Sequence, residues 1–469
     1  MMPIIAALLF VAYLVGVYFV VENLSKGRFV YLLYYLVAFL PIYIVFLSFI
    51  YSQTNSILLT RVVQYSKEVV ILYALVIWWG GQEAELTSKN WRLSTLDKFF
   101  ISFVGLCLLY FILPLGEATF SSKVTYLKNI LLMAFMYFFG RQVKVQFSEW
   151  RNVFKLIIIV TVVAFTVVIF ERFSGTHFHS IIGYAKYYAQ MLKIEPSGNY
   201  GLNWTFEAQG GQPRYGSIFA NPLEFAASML ISVSVGVFYL LNVRPFGNRQ
   251  YYLIFLLISV VCIFFAFSRA SMLAMLIMLA FIALLIKYYK IFQPLIFLLA
   301  ILVLYVTFIA SDDVRYFALD TIMFRNSSSL THLVDWLTAI DSIVTNPLGI
   351  GLAMSGNAGG VEDGLRVGGE NQFLVFGVQL GVLGMFIYIL LIILSIRHSW
   401  LAYRRSLSRK EQLVPFVAAS VKFGLLLALI TANAEIYLYV SLVSWWMVGA
   451  SETIFQKYNV RRRARLQTL

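Results

Sequence analysis

Four arginines lie in the connecting segments of this chain, where their side chains are well placed for chemistry. The guanidinium group is planar and donates two hydrogen bonds to neighbouring oxygens of one anion, so it suits phosphate and diphosphate. The surrounding sequences are irregular and polar, as in QPRYGSIFANPLEFA (212–226) and FSRAS (267–271). The pattern predicts phosphate binding by Arg214, Arg269, Arg325 and Arg366.

Polar residues beside these arginines complete the candidate site. Asn221-Pro222 is expected to interrupt an apolar run one to two turns after it begins, and Glu224 follows inside the run. Such a break is tolerated in a membrane only where it packs in protein or lines a wet cavity; a plain kinked helix entry is the alternative. Within 346–384, a glycine-rich stretch opens at Asn346-Pro347 and leads into a helix start at Asn371, which predicts an anion cradle, with a flexible loop as the alternative.

Other chemistry finds little support in the sequence. His177 and His179 form a His-x-His pair, but no third ligand lies nearby, so no metal site is predicted. His332 is either a pocket residue or an ordinary surface histidine. The glycine-rich stretch has neither a GxGxxG nor a Walker pattern, so neither nucleotide binding nor any cofactor is expected. The basic residues at 461–465 follow an apolar run directly, which indicates a membrane anchor rather than nucleic-acid binding.

The elements that must position these residues are transmembrane helices. Hydrophobic residues make up 61% of the 469 residues and charged residues 12%, whereas a soluble domain has about a quarter charged. The composition predicts an all-α, polytopic transmembrane helix bundle that forms one domain over 1–469. About 13 spans (12–14) are expected, at 3–22, 29–51, 61–79, 98–116, 124–140, 152–171, 216–241, 250–267, 270–286, 291–310, 371–396, 413–431 and 438–455.

The distribution of charge predicts the orientation of the bundle. Most of the 36 Lys and Arg residues fall in alternate connections, which the positive-inside rule assigns to the cytoplasmic side. The N-terminus is then outside and the C-terminus inside. Two long loops, 172–215 and 311–370, fall on the outer side with short helices of their own. One is predicted over 327–347, where apolar residues recur at helical spacing before Asn346-Pro347; it either lies at the membrane interface or packs over the bundle.

Three motifs in order along the chain resemble the O-antigen ligase and O-antigen polymerase superfamily. They are RYGSIFANPLEFA (214–226), SRAS (268–271), and NPLGIGL (346–352) followed by ENQFLVFGVQLGVLGMFIY (370–388). The resemblance covers roughly 210–395. It implies a glycosyltransferase that takes glycans from an undecaprenyl-diphosphate donor at the outer face of a bacterial cytoplasmic membrane. Arg214 and Arg269 match the family's arginines, and the resemblance implies that they hold the diphosphate and stabilise it as it leaves.

One position departs from the ligase pattern. Ligases of the family carry a His-Asn pair at the start of the late span, where this chain has Glu370 and Asn371. A carboxylate can also deprotonate an acceptor hydroxyl, so Glu370 is the expected base and a polymerase of lipid-linked repeat units is favoured over a ligase to lipid A core. The expected partners are undecaprenyl-diphosphate-linked oligosaccharides, membrane lipid and a chain-length regulator.

Two functions from other classes remain open at this stage. A flippase of lipid-linked sugars would show two related halves and broken helices near mid-membrane, which the sequence does not display. A non-catalytic scaffold for polysaccharide assembly would predict that arginine substitutions are silent.

Overall fold

A computed structural model describes residues 2–86, 93–208, 211–242, 248–287, 327–357, 361 and 363–467, with scattered positions between 290 and 319. Helix dominates these residues, which contain no β-strand. The first nine helices are α1 (Met2–Ser25), α2 (Val30–Phe39), α3 (Tyr43–Thr54), α4 (Ile57–Leu86), α5 (Thr95–Ile112), α6 (Phe120–Gln142), α7 (Phe147–Ser174), α8 (Phe178–Ile181) and α9 (Tyr184–Tyr187). The others are α10 (Pro222–Leu241), α11 (Arg249–Phe265), α12 (Arg269–Ile286), α13 (Ser327–Thr345), α14 (Gln372–Arg405), α15 (Arg409–Thr431) and α16 (Leu438–Gln467).

The all-α, multi-pass class is confirmed. Within the described ranges, eight helices are long and apolar enough to cross a membrane, and the bent pair α2–α3 makes a possible ninth span. The predicted spans at 124–140, 250–267 and 438–455 are helical as α6, α11 and α16 but are not among the eight. The predicted span at 291–310 lies mostly outside the described residues, so the number of 13 stays a prediction.

The predicted span at 29–51 consists of two helices. Helices α2 and α3 meet at an angle of 61°, and Pro41 lies in the short break between them. Proline has no amide hydrogen and its ring clashes with the preceding turn, so a continuous helix is disfavoured there.

The chain divides into two compact units, each built from segments that are distant in sequence. The first comprises Met1–Arg92, Gln142–Arg269 and Tyr437–Val443, and the second comprises Leu93–Arg141, Ala270–Ile436 and Ser444–Leu469.

In the first unit, α10 is the central helix, and its side chains are buried along nearly its whole length. A buried hydrogen bond of 2.7 Å joins the hydroxyl groups of Thr161 on α7 and Ser232 on α10. The first long loop is folded and carries α8 and α9, as expected. It has a small core of Tyr184, Leu202 and Phe206.

In the second unit, α14 is broken at Gly381, whose φ of +71° lies in the left-handed region that glycine adopts most easily. The glycine-rich segment from Pro347 packs against this break. The amides of Ile350 and Gly351 donate to the carbonyls of Val378 (2.8 Å) and Gln379 (3.1 Å), and the amide of Val382 donates to Pro347 (2.9 Å). In an unbroken helix these carbonyl and amide groups would bond to each other within the helix. At the break they bond to the backbone of the glycine-rich segment instead.

The helix predicted over 327–347 is present as α13 and ends before Asn346-Pro347. It packs on α14 through Ala339 and Ile343, which share a core with Val378. The apolar residues that defined the prediction are largely exposed on the other side of the helix: Leu330, Leu333, Val334, Leu337, Ile340 and Val344. This helix therefore buries a narrow strip of small and branched side chains and leaves an apolar face uncovered.

Candidate functional site

The expected interruption of a helix at Asn221-Pro222 is wrong, because α10 begins there. Pro222 is the first helical residue, where the missing amide hydrogen costs nothing. The side-chain oxygen of Asn221 accepts hydrogen bonds from the amides of Leu223 (3.0 Å) and Glu224 (2.9 Å), which caps the helix. The pair therefore starts a regular helix and frees no carbonyl.

Glu224 lies in the first turn of α10 and is buried. One of its carboxylate oxygens accepts a hydrogen bond of 3.4 Å from the amide of Tyr439, which lies in the 437–443 segment of the same unit. A carboxylate near a helix N-terminus also interacts favourably with the helix dipole. Glu224 therefore supports the packing of this unit.

Arg214 and Arg269 both belong to the first unit and are half-buried. The backbone amide of Arg214 donates to the carbonyl of Phe206 (2.8 Å), which ties its position to the folded loop. Its side-chain Nε atom is buried and has no hydrogen-bond partner in the described part of the chain. Burial and the positive charge of Arg269 lower the pKa of Arg214 from its usual value, although an arginine still keeps its proton. The arrangement is a partly desolvated cation that favours an anion.

The carboxylate and histidines at the start of the first long loop hold that loop together. Glu171 is buried and accepts hydrogen bonds from the amides of Phe178 (2.9 Å) and Ser217 (3.0 Å). His179 is buried too, with its Nε2 atom 2.7 Å from the carbonyl oxygen of Phe219. The ring of His177 packs among aromatic side chains, including Tyr200 and Tyr215. These contacts fold the segment that precedes α10.

A histidine and a carboxylate pair in the second unit. The Nδ1 atom of His332 on α13 is the ion-pair partner of the Oε2 atom of Glu370, and both side chains are 29% exposed. Asp335 lies one turn along α13 from His332. Burial raises the pKa of Asp335, the negative charge of Glu370 adds to the rise, and Arg366 and His332 oppose it. The two side chains are partly exposed, whereas the two atoms that face each other are buried.

Gly368 allows Glu370 to reach α13. Its φ is +61°, and a side chain there would meet the carbonyl oxygen of Asp335 and the Cβ atom of Ala339, both at 2.9 Å. Arg366 is exposed and donates to the side-chain oxygen of Asn357 (2.7 Å). Close packing of this segment on the helix thus brings Glu370 to His332, which lies 38 residues earlier in the sequence.

Asn371 caps α14 in the same way that Asn221 caps α10. Its side-chain oxygen accepts from the amides of Phe373 (3.0 Å) and Leu374 (3.2 Å). In the glycine-rich segment before it, the amides of Gly349, Ile350 and Gly351 donate to backbone carbonyls. These three amides are therefore not available to an anion, and a cradle formed by the rest of the stretch stays a prediction.

The predicted site residues thus fall into two groups, each within one unit. The first unit holds Arg214, Asn221, Glu224 and Arg269, and the second holds His332, Arg366, Glu370 and Asn371. Arg325 lies outside the described residues.

A buried ion pair in the second unit was not predicted. Lys422 on α15 is 1% exposed; its Nζ atom lies 3.6 Å from Oε1 of Glu435 and 3.6 Å from the centroid of the Trp445 ring. The carboxylate of Glu435 also accepts from the hydroxyl of Tyr388 (2.7 Å) and from Nε1 of Trp445 (3.1 Å). The available signal was a lysine in the middle of the predicted span 413–431, with a glutamate in the next short connection.

Comparison with known proteins finds a family model that matches part of the chain. Residues 254–389 match the family model described as O-antigen ligase. The matched segment includes Arg269, His332, Glu370 and the break at Gly381, while Arg214 and Asn221 precede it. No curated protein matches the chain.

Proposed function

We propose that this chain, whose residues 254–389 match the O-antigen ligase family model, is a polysaccharide polymerase of the O-antigen ligase and polymerase superfamily. It joins undecaprenyl-diphosphate-linked oligosaccharide repeat units at the outer face of the bacterial cytoplasmic membrane, for O-antigen, capsule or exopolysaccharide. The observation that carries the proposal is Arg214, whose Nε atom is buried and without a partner in the described residues, near a second arginine. Two neighbouring arginines, one of them with an unpartnered Nε atom among the described residues, suit a diphosphate donor.

The arginines act on the donor. Arg214 and Arg269 bind the diphosphate oxygens and stabilise the negative charge that develops as the sugar–phosphate bond breaks. Arg325 and Arg366 are further candidates for phosphate contacts. Undecaprenyl diphosphate is an activated leaving group, so the reaction needs neither a nucleotide nor a cofactor.

The His332–Glu370 pair acts on the acceptor. Glu370 takes the proton of an acceptor sugar hydroxyl, and His332 orients the carboxylate. The hydroxyl oxygen then forms a bond to the donor's anomeric carbon, and undecaprenyl diphosphate leaves with the electron pair of the broken bond. Asn221 and Asn371 cap the helices that follow Arg214 and Glu370, and Glu224 lies in the first turn of α10. A chain-length regulator is the expected protein partner.

A ligase is the second candidate, and one observation favours it. Ligases of the family carry a histidine where this chain has Glu370, and His332 brings an imidazole to that position from α13. The two functions differ in the acceptor: a polymerase extends glycan on undecaprenyl diphosphate, and a ligase moves it to lipid A core.

The test is complementation of cells that lack this chain. The wild-type chain should restore long glycans, and R214A, R269A and E370A should leave single repeat units. Arg172 in the last turn of α7 and Glu195 in the first long loop are exposed, so R172A and E195A serve as matched controls and should restore full length. Long glycans in all three site variants would refute the assignment, and glycans that reach full length on the lipid carrier without this chain would exclude a polymerase.

A further inference from the structure

Three buried polar side chains in the second unit lack hydrogen-bond partners within the described residues. They are the hydroxyl of Ser355, the side-chain carbonyl of Gln372 and the side-chain amide nitrogen of Asn433. Their residues are 0%, 2% and 3% exposed. A buried polar group without a partner costs stability, so three together indicate that something else supplies the missing hydrogen bonds.

Gly356 relates the three residues to one another, one by contact, one by sequence and one through a neighbour on α14. A methyl group placed on Gly356 would lie 2.7 Å from the side-chain nitrogen of Asn433 and 3.1 Å from Cγ1 of Val375. Ser355 is the preceding residue in the chain. Gln372 lies one helical turn before Val375 on α14, so the two side chains share a face of that helix.

Gln379, a second glutamine on α14, has a structural role and serves as a comparison. The side chain of Gln379 is also buried, but its amide nitrogen donates to the hydroxyl of Tyr126 (2.7 Å) and to the carbonyl of Ser355 (2.6 Å). Its side-chain oxygen accepts from the amide of Ala353 (2.9 Å). Gln379 therefore fixes the segment that carries Ser355, whereas the side-chain carbonyl of Gln372 has no hydrogen-bond partner among the described residues.

We propose that Ser355, Gln372 and Asn433 bind hydroxyl groups of the acceptor sugar. The three groups are neutral and supply a hydroxyl, an acceptor and a donor, which matches a polyol and offers no charge to a diphosphate. Gln372 follows Glu370 by two residues, so the site adjoins the proposed base. The inference rests on the proposed glycan transfer, because it names the subsite of the acceptor.

The experiment uses the purified full-length chain and lipid-linked repeat units extracted from a strain that lacks it. The acceptor KM is measured with a single repeat unit on undecaprenyl diphosphate, at saturating long-chain donor. Q372L and N433L should each raise this KM by about twofold to tenfold, because one hydrogen bond is lost, and their effects should multiply in the double variant. The thermal unfolding midpoint should stay equal or rise, since an unpaired buried group is removed.

Q379L is the matched control and should lower the unfolding midpoint. Unchanged KM in the Q372L/N433L double variant would overturn the inference and mean that the cluster holds water only. A lower midpoint with unchanged KM would overturn it too, in favour of a structural role. If the wild-type chain itself forms no glycosidic bond, the proposed function fails and the inference fails with it.

Discussion

Two cations with buried side-chain nitrogen atoms, Arg214 in the first unit and Lys422 in the second, have opposite surroundings. Lys422 lies against the carboxylate of Glu435 and over the ring of Trp445. The Nε atom of Arg214 is buried with no partner in the described residues, and the charge of Arg269 acts on it unfavourably. Glu435 neutralises Lys422, whereas the Nε atom of Arg214 remains available to an anionic ligand.

This difference distinguishes a charge with a structural role, on Lys422, from a charge with a functional role, on Arg214. A buried charge is costly unless it is paired, so selection for stability alone would remove the charge of Arg214 or give it a carboxylate. Lys422, by contrast, joins α15 to the 3-10 turn Ala434–Ile436 and, through Glu435, to Tyr388 and Trp445. The comparison therefore predicts loss of folding at one residue and loss of activity at the other.

The largest effect is expected for K422M. This variant leaves the carboxylate of Glu435 partly buried without its cation, which should lower the free energy of unfolding by about 3–5 kcal/mol. The measurement is the thermal unfolding midpoint of the detergent-solubilised chain. K144M removes an exposed lysine and should leave the midpoint unchanged, while K422M/E435Q should recover part of the loss. An unfolding midpoint of K422M equal to that of the wild type would contradict the structural role of Lys422.

R214A should leave folding intact and abolish most of the activity. Loss of one preorganised donor to developing negative charge costs about 10²–10³-fold in kcat. The unfolding midpoint should equal or exceed that of the wild type, because a partly desolvated charge, whose buried Nε atom has no partner in the described residues, is removed. R214K keeps the positive charge but loses the planar guanidinium group. Its activity should therefore lie between that of the wild type and that of R214A. Full activity in R214A, or unfolding of that variant, would contradict the assignment.

The smallest effect is expected at His177, a buried histidine whose charged form is disfavoured by burial. Burial lowers its pKa to about 4, and the carboxylate of Glu207 only partly opposes this. The unfolded chain, with a histidine pKa near 6.5, therefore binds more protons than the folded chain between pH 6.5 and 4. Stability should be constant above this window and fall as the pH drops through it, by at most about 1.4 kcal/mol per pH unit.

H177F should reduce this acid sensitivity. The measurement is the unfolding midpoint at pH 7 and pH 5, with the wild type showing the larger drop. An equal drop in both would mean that His177 is solvated and that its burial has no energetic consequence.

Helices were predictable from the sequence to a much greater extent than the contacts between distant residues. Apolar runs located most helices, and Asn346-Pro347 marked the end of α13. Local chemistry misled at Asn221-Pro222, because a proline suits the first helical turn as well as a kink. The break at Gly381 was not visible, since its cause is the packing of the 347–351 backbone against α14.

The candidate site shows the same division. Arg214, Arg269 and Glu370 could be named from local motifs. The pairing of His332 with Glu370 depends on α13 folding back over 38 residues, and that of Lys422 with Glu435 depends on a turn after α15. Neither contact follows from periodicity or spacing, because both depend on side chains that tertiary packing brings together.

The most direct test of the central claim is reconstitution of the reaction. Purified chain in detergent is mixed with undecaprenyl-diphosphate-linked repeat units, and the products are separated by length. The account predicts a ladder of glycans two or more repeats long, with one undecaprenyl diphosphate released per new bond, and no ladder with R214A. Intact substrate with no new glycosidic bond, or transfer that requires lipid A core as acceptor, would contradict it.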